Sequence, residues 1–185
     1  MIMEINQYYH VYNRGADKRP VFLEPQDYSR FIRLFDRYLS LLPTPNTHGG
    51  FYPNFSSKVK LVSYCLMPNH FHLLIGVSDQ EALGNFMQCL KIAYSRAFNI
   101  IRMRTGVLFE TRYHARPIES NYDIMNVSRY IHRNATVLTK DLHAYLYSSI
   151  RNYEGGNPYD WLDSAPVMDN FKDASDYRRF IDDVA

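Results

Sequence analysis

Residues 59–77 constrain the fold more than any other stretch. Residues 59–66 (Val-Lys-Leu-Val-Ser-Tyr-Cys-Leu) and 70–77 (His-Phe-His-Leu-Leu-Ile-Gly-Val) have strand composition, and Met67-Pro68-Asn69 between them reads as a turn. The pattern predicts a hairpin. Its second strand is apolar on both faces near its end, which places it in the centre of a covered sheet. Two amphipathic helices are available as cover. Pro25 and Asp27 open the first, and its apolar positions, among them Phe31, Ile32, Phe35 and Leu39, keep helical spacing. Asp79 can cap the second, whose stripe runs from Leu83 through Phe86, Leu90 and Tyr94 to Ile101, with Gly106 closing it.

The remaining elements fall on either side. Residues 8–14 read as a strand that Gly15 ends, and residues 43–57, with Pro43, Pro45 and Pro53, read as a long loop. Residues 107–118 contain a further strand that alternates Arg112, His114 and Arg116 onto one side. Asn121 or Asp123 starts a third helix that runs to about residue 134. Residues 141–151 read as helical and 173–183 as a short terminal helix. The order β-α-β-β-α-β-α implies an α+β protein with a ferredoxin-like core, an antiparallel sheet and a helical acidic tail. The length of 185 residues favours one domain with a small appendage, divided as 1–151 and 152–185.

Charge separates the same two parts. Residues 1–140 hold 17 Lys/Arg against 10 Asp/Glu, whereas residues 141–185 hold 4 against 9. Within residues 89–133 the count is 8 basic to 3 acidic, a balance that suits either a polyanion partner or a solvated basic face. The acidic tail either competes with a polyanion for that face or simply packs or stays solvated. Cys65 and Cys89 stand in no paired motif, which argues against a disulfide framework or a cysteine zinc site and fits a reducing cytosol. No apolar run approaches the ~20 residues of a membrane span. Residues 1–4 have no leader character, so the chain is expected in the cytoplasm.

Two constellations carry chemistry. His70 and His72, two apart on a strand, point to one face. Side by side on a central strand they are either ordinary hydrogen-bonded histidines or ligands of a divalent cation, for which neutral imidazole is well suited. On the third helix, Ile124, Val127 and Ile131 form the buried stripe, and Tyr130 sits at its edge with Asn134 four residues on, sharing its face. Tyrosine can act as a nucleophile, and asparagine can offer an oxygen to a metal. Arg129 and Arg133 flank them. His132 points away from Tyr130 and reads as structural.

Four blocks then appear in order: residues 10–15 (His-Val-Tyr-Asn-Arg-Gly), 66–74 (Leu-Met-Pro-Asn-His-Phe-His-Leu-Leu), 108–113 (Leu-Phe-Glu-Thr-Arg-Tyr) and 129–134 (Arg-Tyr-Ile-His-Arg-Asn). Together they resemble the single-tyrosine HUH transposases, where HUH denotes His-hydrophobic-His, and specifically the REP-associated tyrosine transposases and their insertion-sequence relatives. The resemblance covers roughly residues 8–151. It implies a ferredoxin-like core that binds DNA hairpins, cuts single-stranded DNA and rejoins it through a 5′-phosphotyrosine link. It implies Tyr130 as the catalytic tyrosine, His70 and His72 as ligands of a divalent metal, Mg or Mn, and Asn134 as the third polar ligand. Arg112, Arg116, Arg129 and Arg133 are candidates for backbone phosphates, with Arg14 and Lys91 beside them.

This chain departs from the family pattern in three places. Ala135 stands where relatives often have proline, Tyr147-Ser148-Ser149 replaces a Trp-Ser-Ser block, and the 43–57 loop is longer than usual. Two other functions use the same residues. A hairpin-binding regulator that no longer cuts would keep the basic face, and a metal enzyme acting on a small molecule would keep the histidines without the arginines. The sequence leaves monomer or homodimer open.

Overall fold

The computed structural model describes residues 5–110, 112–155 and 159–183, so the reading of residues 1–4 falls outside it. The sheet is built from β1 (Gln7–Arg14), β2 (Val59–Met67), β3 (His70–Val77) and β4 (His114–Ile118), in the order β2-β3-β1-β4 with every neighbouring pair antiparallel. Helix α1 (Pro25–Leu39) follows β1 and α2 (Gln80–Ile101) follows β3. This is the expected α+β architecture, with the predicted hairpin supplying β2 and β3.

The alternation of side chains along each strand makes two different faces. Phe71, Leu73 and Ile75 of β3 and Val11 of β1 join Phe31 and Phe35 of α1 and Phe86 and Leu90 of α2 in one fully buried core. The opposite face is divided. Helix α3 (Asn121–Arg133) and the C-terminal segments cover its β2 side, where Val62, Cys65 and Leu74 meet Ile124, Ile131, Tyr153 and Tyr177. Its β1 and β4 side carries polar and aromatic residues and stays open. Both α2 and α3 start with a side-chain cap: Asp79 accepts from the Ala82 N–H at 2.7 Å, and Ser120 accepts from the Asp123 N–H at 3.1 Å.

The C-terminal region packs rather than remaining solvated. After α4 (Ile150–Tyr153) and α5 (Ala165–Met168) comes α6 (Ala174–Asp182), and Trp161, Val167, Tyr177 and Ile181 are all buried. Residues 147–149 and 161–163 run along the outer edge of β2: the Leu66 N–H donates to the Tyr147 carbonyl at 2.9 Å, and the Asp163 N–H to the Leu61 carbonyl at 2.8 Å. One edge of the sheet is thereby capped, which removes a site for adventitious strand pairing.

Three sequence expectations are corrected. Helix α2 ends at Ile101, short of Gly106, because Met103 takes a left-handed φ of 48° and the Arg102 guanidinium is held by Glu24 at 2.8 Å and the buried Asp27 at 2.9 Å. The strand expected within 107–118 is confined to His114–Ile118. Upstream, Phe109 makes only a single bridge to Gly15, and the Leu108 carbonyl accepts from the Ala16 N–H. Residues 141–151 form no continuous helix, since the stretch through Ser148 and Ser149 is drawn out along β2 and only a short 3-10 turn at Leu142–Ala144 precedes it. Among the described residues no helix is long and apolar enough to cross a membrane.

Candidate active site

Strand register gathers the site. Arg14 pairs with His70, Tyr12 with both His72 and His114, and His10 with Arg116, so three adjacent strands present rings and cations on one face in successive rows. The result is a cavity of about 930 Å³ whose lining includes His10, His70, His72, Tyr130 and Asn134.

His70 and His72 lie with ring centroids 5.0 Å apart at right angles. His70 Nδ1 is 2.7 Å from Asn69 Oδ1, an oxygen that accepts from an imidazole N–H and so leaves Nε2 as the basic nitrogen. His72 Nδ1 is 2.9 Å from His10 Nε2. His10, in the first sequence block, is a site residue that the motif reading does not single out. Its signal was present in the period-two spacing of His10, Tyr12 and Arg14, which puts all three on one strand face.

Burial pushes the His72 imidazole down to about 3, with His10, His70 and Arg14 adding to the effect. Burial and Arg116 push His10 down to about 4, and burial and Arg14 lower His70. All three rings are therefore neutral at pH 7, the form in which imidazole accepts a proton or binds a metal.

Tyr130 faces this cluster from α3. Its ring centroid is 5.5 Å from His10 and 5.5 Å from His72, edge-on to both, and the residue is 53% exposed. The hydroxyl is thus open to a ligand in the cavity. Asn134, at the end of α3, donates its amide nitrogen to the Tyr130 carbonyl at 2.7 Å, which leaves the amide oxygen as its potential metal ligand.

The opposite side of α3 is closed. His132 is fully buried, with Nδ1 2.7 Å from Tyr177 Oη and Nε2 2.7 Å from Ser149 Oγ, and Tyr177 Oη also bonds Ser128 Oγ at 2.8 Å. Ser149 Oγ accepts from the Tyr64 N–H at 2.9 Å, so a continuous polar chain ties the tyrosine-bearing helix to β2 and to α6.

The basic residues divide into three places. Arg14 and Arg116 line the cavity. Lys91 and Arg112 line a separate groove with Ala115, a β4 residue that alternates with His114 and Arg116, and Lys91 donates to the Glu110 carbonyl at 3.3 Å. Arg129 lies 4.4 Å over the Phe180 ring, and Arg133 donates to the Ile181 carbonyl at 2.6 Å, so both engage α6.

Among the described residues no three His, Cys, Asp or Glu side chains form a ready metal cage. The cavity lining offers nitrogen donors from the imidazoles and oxygen donors from Asn134 and from the carboxylates of Glu110, Glu119 and Asp123, a mixed set without thiolate that can hold a divalent cation.

Residues 55–134 match the family described as IS200-like transposase. A solved structure of a REP-associated tyrosine transposase bound to a REP hairpin is similar to this chain, with a TM-score of 0.59, 13% identity, and 89% of this chain and 90% of that chain covered. A Deinococcus radiodurans R1 protein described as a "putative transposase" matches with a TM-score of 0.43 and 18% identity, covering 72% of this chain and 95% of its own. No curated protein matches by sequence. The matched stretch, residues 55–134, holds His70, His72, Tyr130 and Asn134, and the chain shares the fold of the REP-associated tyrosine transposase structure.

Proposed function

We propose that this chain is a metal-dependent single-stranded DNA transposase and endonuclease that binds DNA hairpins and cuts and rejoins a strand through a 5′-phosphotyrosine intermediate. One observation carries the reading: an exposed tyrosine on a separate helix faces the His-Phe-His pair across an open cavity, 5.5 Å ring to ring from His72. The hairpin in the neighbour's complex supports the same kind of DNA partner here.

Tyr130 Oη forms the new bond to phosphorus as the bond from phosphorus to the 3′ oxygen breaks, and the strand leaves as a 3′-hydroxyl. The phosphotyrosine keeps the energy of the broken bond, so attack by another 3′-hydroxyl reverses the step without ATP. His70 and His72, through their Nε2 atoms, and Asn134, through its amide oxygen, would hold the metal. Bound there, Mg or Mn supplies Lewis-acid polarisation of the scissile phosphate. Arg14 and Arg116, inside the cavity, bind the backbone phosphates beside it. The reading is of a cytoplasmic enzyme.

The test is incubation of the protein with a single-stranded stem-loop DNA and Mn, followed by a denaturing gel and peptide mapping. The expected product is a covalent adduct on the peptide that contains Tyr130, lost when EDTA is added. An adduct on another tyrosine refutes the assignment of Tyr130. Hairpin binding with no adduct, across several hairpins and metals, identifies a binding protein instead.

A further inference from the structure

The middle row of the open sheet face is made of rings. His72 of β3, Tyr12 of β1 and His114 of β4 are register partners in sequence across three strands. Tyr12 and His114 are stacked, with centroids 4.7 Å apart and planes 13° from parallel, and Tyr12 lies 5.6 Å from His72. The row runs outward from the site where Tyr130 meets His72. It ends at β4, the last strand of the sheet, where His114 is exposed. The rows on either side pair Arg14 with His70 and His10 with Arg116, so the inner end of the row is lined by His10 and His70 and its flanks by the two arginines.

An aromatic pair that serves only sheet stability is expected to bury its rings among apolar neighbours. Here His114, Ala115, Arg116 and Pro117 are all exposed and Tyr12 is half-buried, so the outer ring of the pair gains little from burial. A flat ring face flanked by two guanidinium groups instead matches an unpaired nucleotide, which offers a π-face and a phosphate. Duplex DNA cannot use such a surface, because its base faces are already stacked. An acidic peptide would satisfy the arginines but leave the rings uncovered.

We propose that the stacked Tyr12–His114 pair is a binding subsite for the unpaired DNA base next to the scissile phosphate, with Arg14 and Arg116 holding the backbone beside it. The proposal rests on the strand-transfer reading above and adds to it where the flanking single strand lies. Stacking on a ring tolerates any base, so the subsite contributes affinity for single-stranded character rather than for sequence.

The test uses a stem-loop with an unpaired tail that carries 2-aminopurine at the nucleotide next to the stem, and the same stem-loop without a tail. Binding to the full chain is followed by fluorescence in a Tyr130→Phe background, so that no covalent adduct obscures the equilibrium. The fluorophore is expected to be quenched on binding. His114→Ala should abolish the quench and weaken the tailed stem-loop by about tenfold, with the tail-less stem-loop held within about twofold. His114→Phe should restore both, because the ring and not the imidazole nitrogen is what the base needs. Tyr12→Leu, which leaves His114 without its stacking partner, should reproduce the loss.

Unchanged quench and unchanged tail affinity in His114→Ala would overturn the subsite, as would a His114→Phe variant as weak as His114→Ala. The adduct assay with the wild-type chain separates this from the parent reading. Adduct formation with no effect of His114→Ala removes only the subsite, whereas equal binding of tailed and tail-less stem-loops with no adduct removes both.

Discussion

Two buried histidines sit on either side of the tyrosine-bearing helix, and they end in opposite conditions. His132 and His72 are 0% and 6% exposed, and burial pushes both imidazoles down to about 3. His132 has a hydroxyl on each ring nitrogen, Tyr177 on one and Ser149 on the other, and nothing in its surroundings is open to a ligand. His72 has one nitrogen against His10 and an edge-on contact with Tyr130 at the wall of a cavity. A satisfied polar group in a closed site fixes structure, because its hydrogen bonds are made once, on folding. A neutral imidazole left facing a cavity is suited to bind something that arrives later. Burial and acidity alone do not separate the two roles; the second ring nitrogen does.

The largest expected consequence concerns the group both histidines flank. Tyr130→Phe removes a single exposed hydroxyl, so the unfolding free energy should stay within the range of about 0.5 kcal/mol typical of surface changes. Covalent adduct formation should fall by at least about a thousandfold, since the nucleophile is gone. Residual adduct above that level would show that another tyrosine can attack.

His72→Ala and His132→Ala then test the comparison directly. On the proposed mechanism, His72→Ala should lower cleavage by at least about a hundredfold by removing one of the residues that would hold the metal. It removes one hydrogen bond at the rim of a cavity, so its stability cost should be only about 1 kcal/mol, and stem-loop affinity should change little. His132→Ala should do the reverse. It strips partners from Tyr177 and Ser149 and leaves a void in a closed core, a loss of about 3 kcal/mol by denaturant titration. At a temperature where the variant is still folded, cleavage should stay within about an order of magnitude of wild type. If His132→Ala instead loses cleavage as completely as His72→Ala with little loss of stability, the division between a structural and a chemical histidine fails.

How much of this was legible in the sequence follows the range of the interaction. Strand 70–77 and the start of α1 are set by local pattern, and both appear where the residues predict them. The division between Tyr130 and His132 was readable too, because helical periodicity alone sends them to different sides of α3. The partners were not readable. His132 meets Tyr177, 45 residues on, and His10 meets His72, 62 residues on; both depend on how distant elements dock. Arg129 and Arg133 show the same contrast: their spacing on one helix is local, whereas the contacts of both side chains with α6 depend on docking. Residues 141–151 show the same limit, since their helical composition yields to the backbone groups offered by the β2 edge.

The smallest effect expected is in the pH dependence of stability, and it isolates His132. Its imidazole stays neutral in the folded protein down to about 3, because burial penalises the charged form and nearby His143 adds to the effect. In the unfolded chain the same ring takes a proton near the ordinary histidine value of about 6.5. Below that pH the unfolded state binds a proton that the folded state does not, so this group's contribution to stability is intact at neutral pH. It is lost as pH falls from about 6.5 toward 3. The slope from one such group is at most about 1.4 kcal/mol per pH unit. His10 and His72, also held low by burial, add slopes of the same sign over windows that end near 4 and 3. Wild type should therefore lose stability between pH 6.5 and 5 more steeply than His132→Asn, which has no ring to protonate, and the difference in slope should be about 1 kcal/mol per unit. His132→Asn is less stable at pH 7.5, so the two unfolding curves should converge as the buffer is acidified. Parallel curves would mean that His132 takes up its proton in the fold over the same pH range as in the unfolded chain. In that case its hydroxyl partners would have to serve as acceptors to two N–H groups, and the closed chain from Tyr64 through Ser149 and Tyr177 to Ser128 would carry a buried charge.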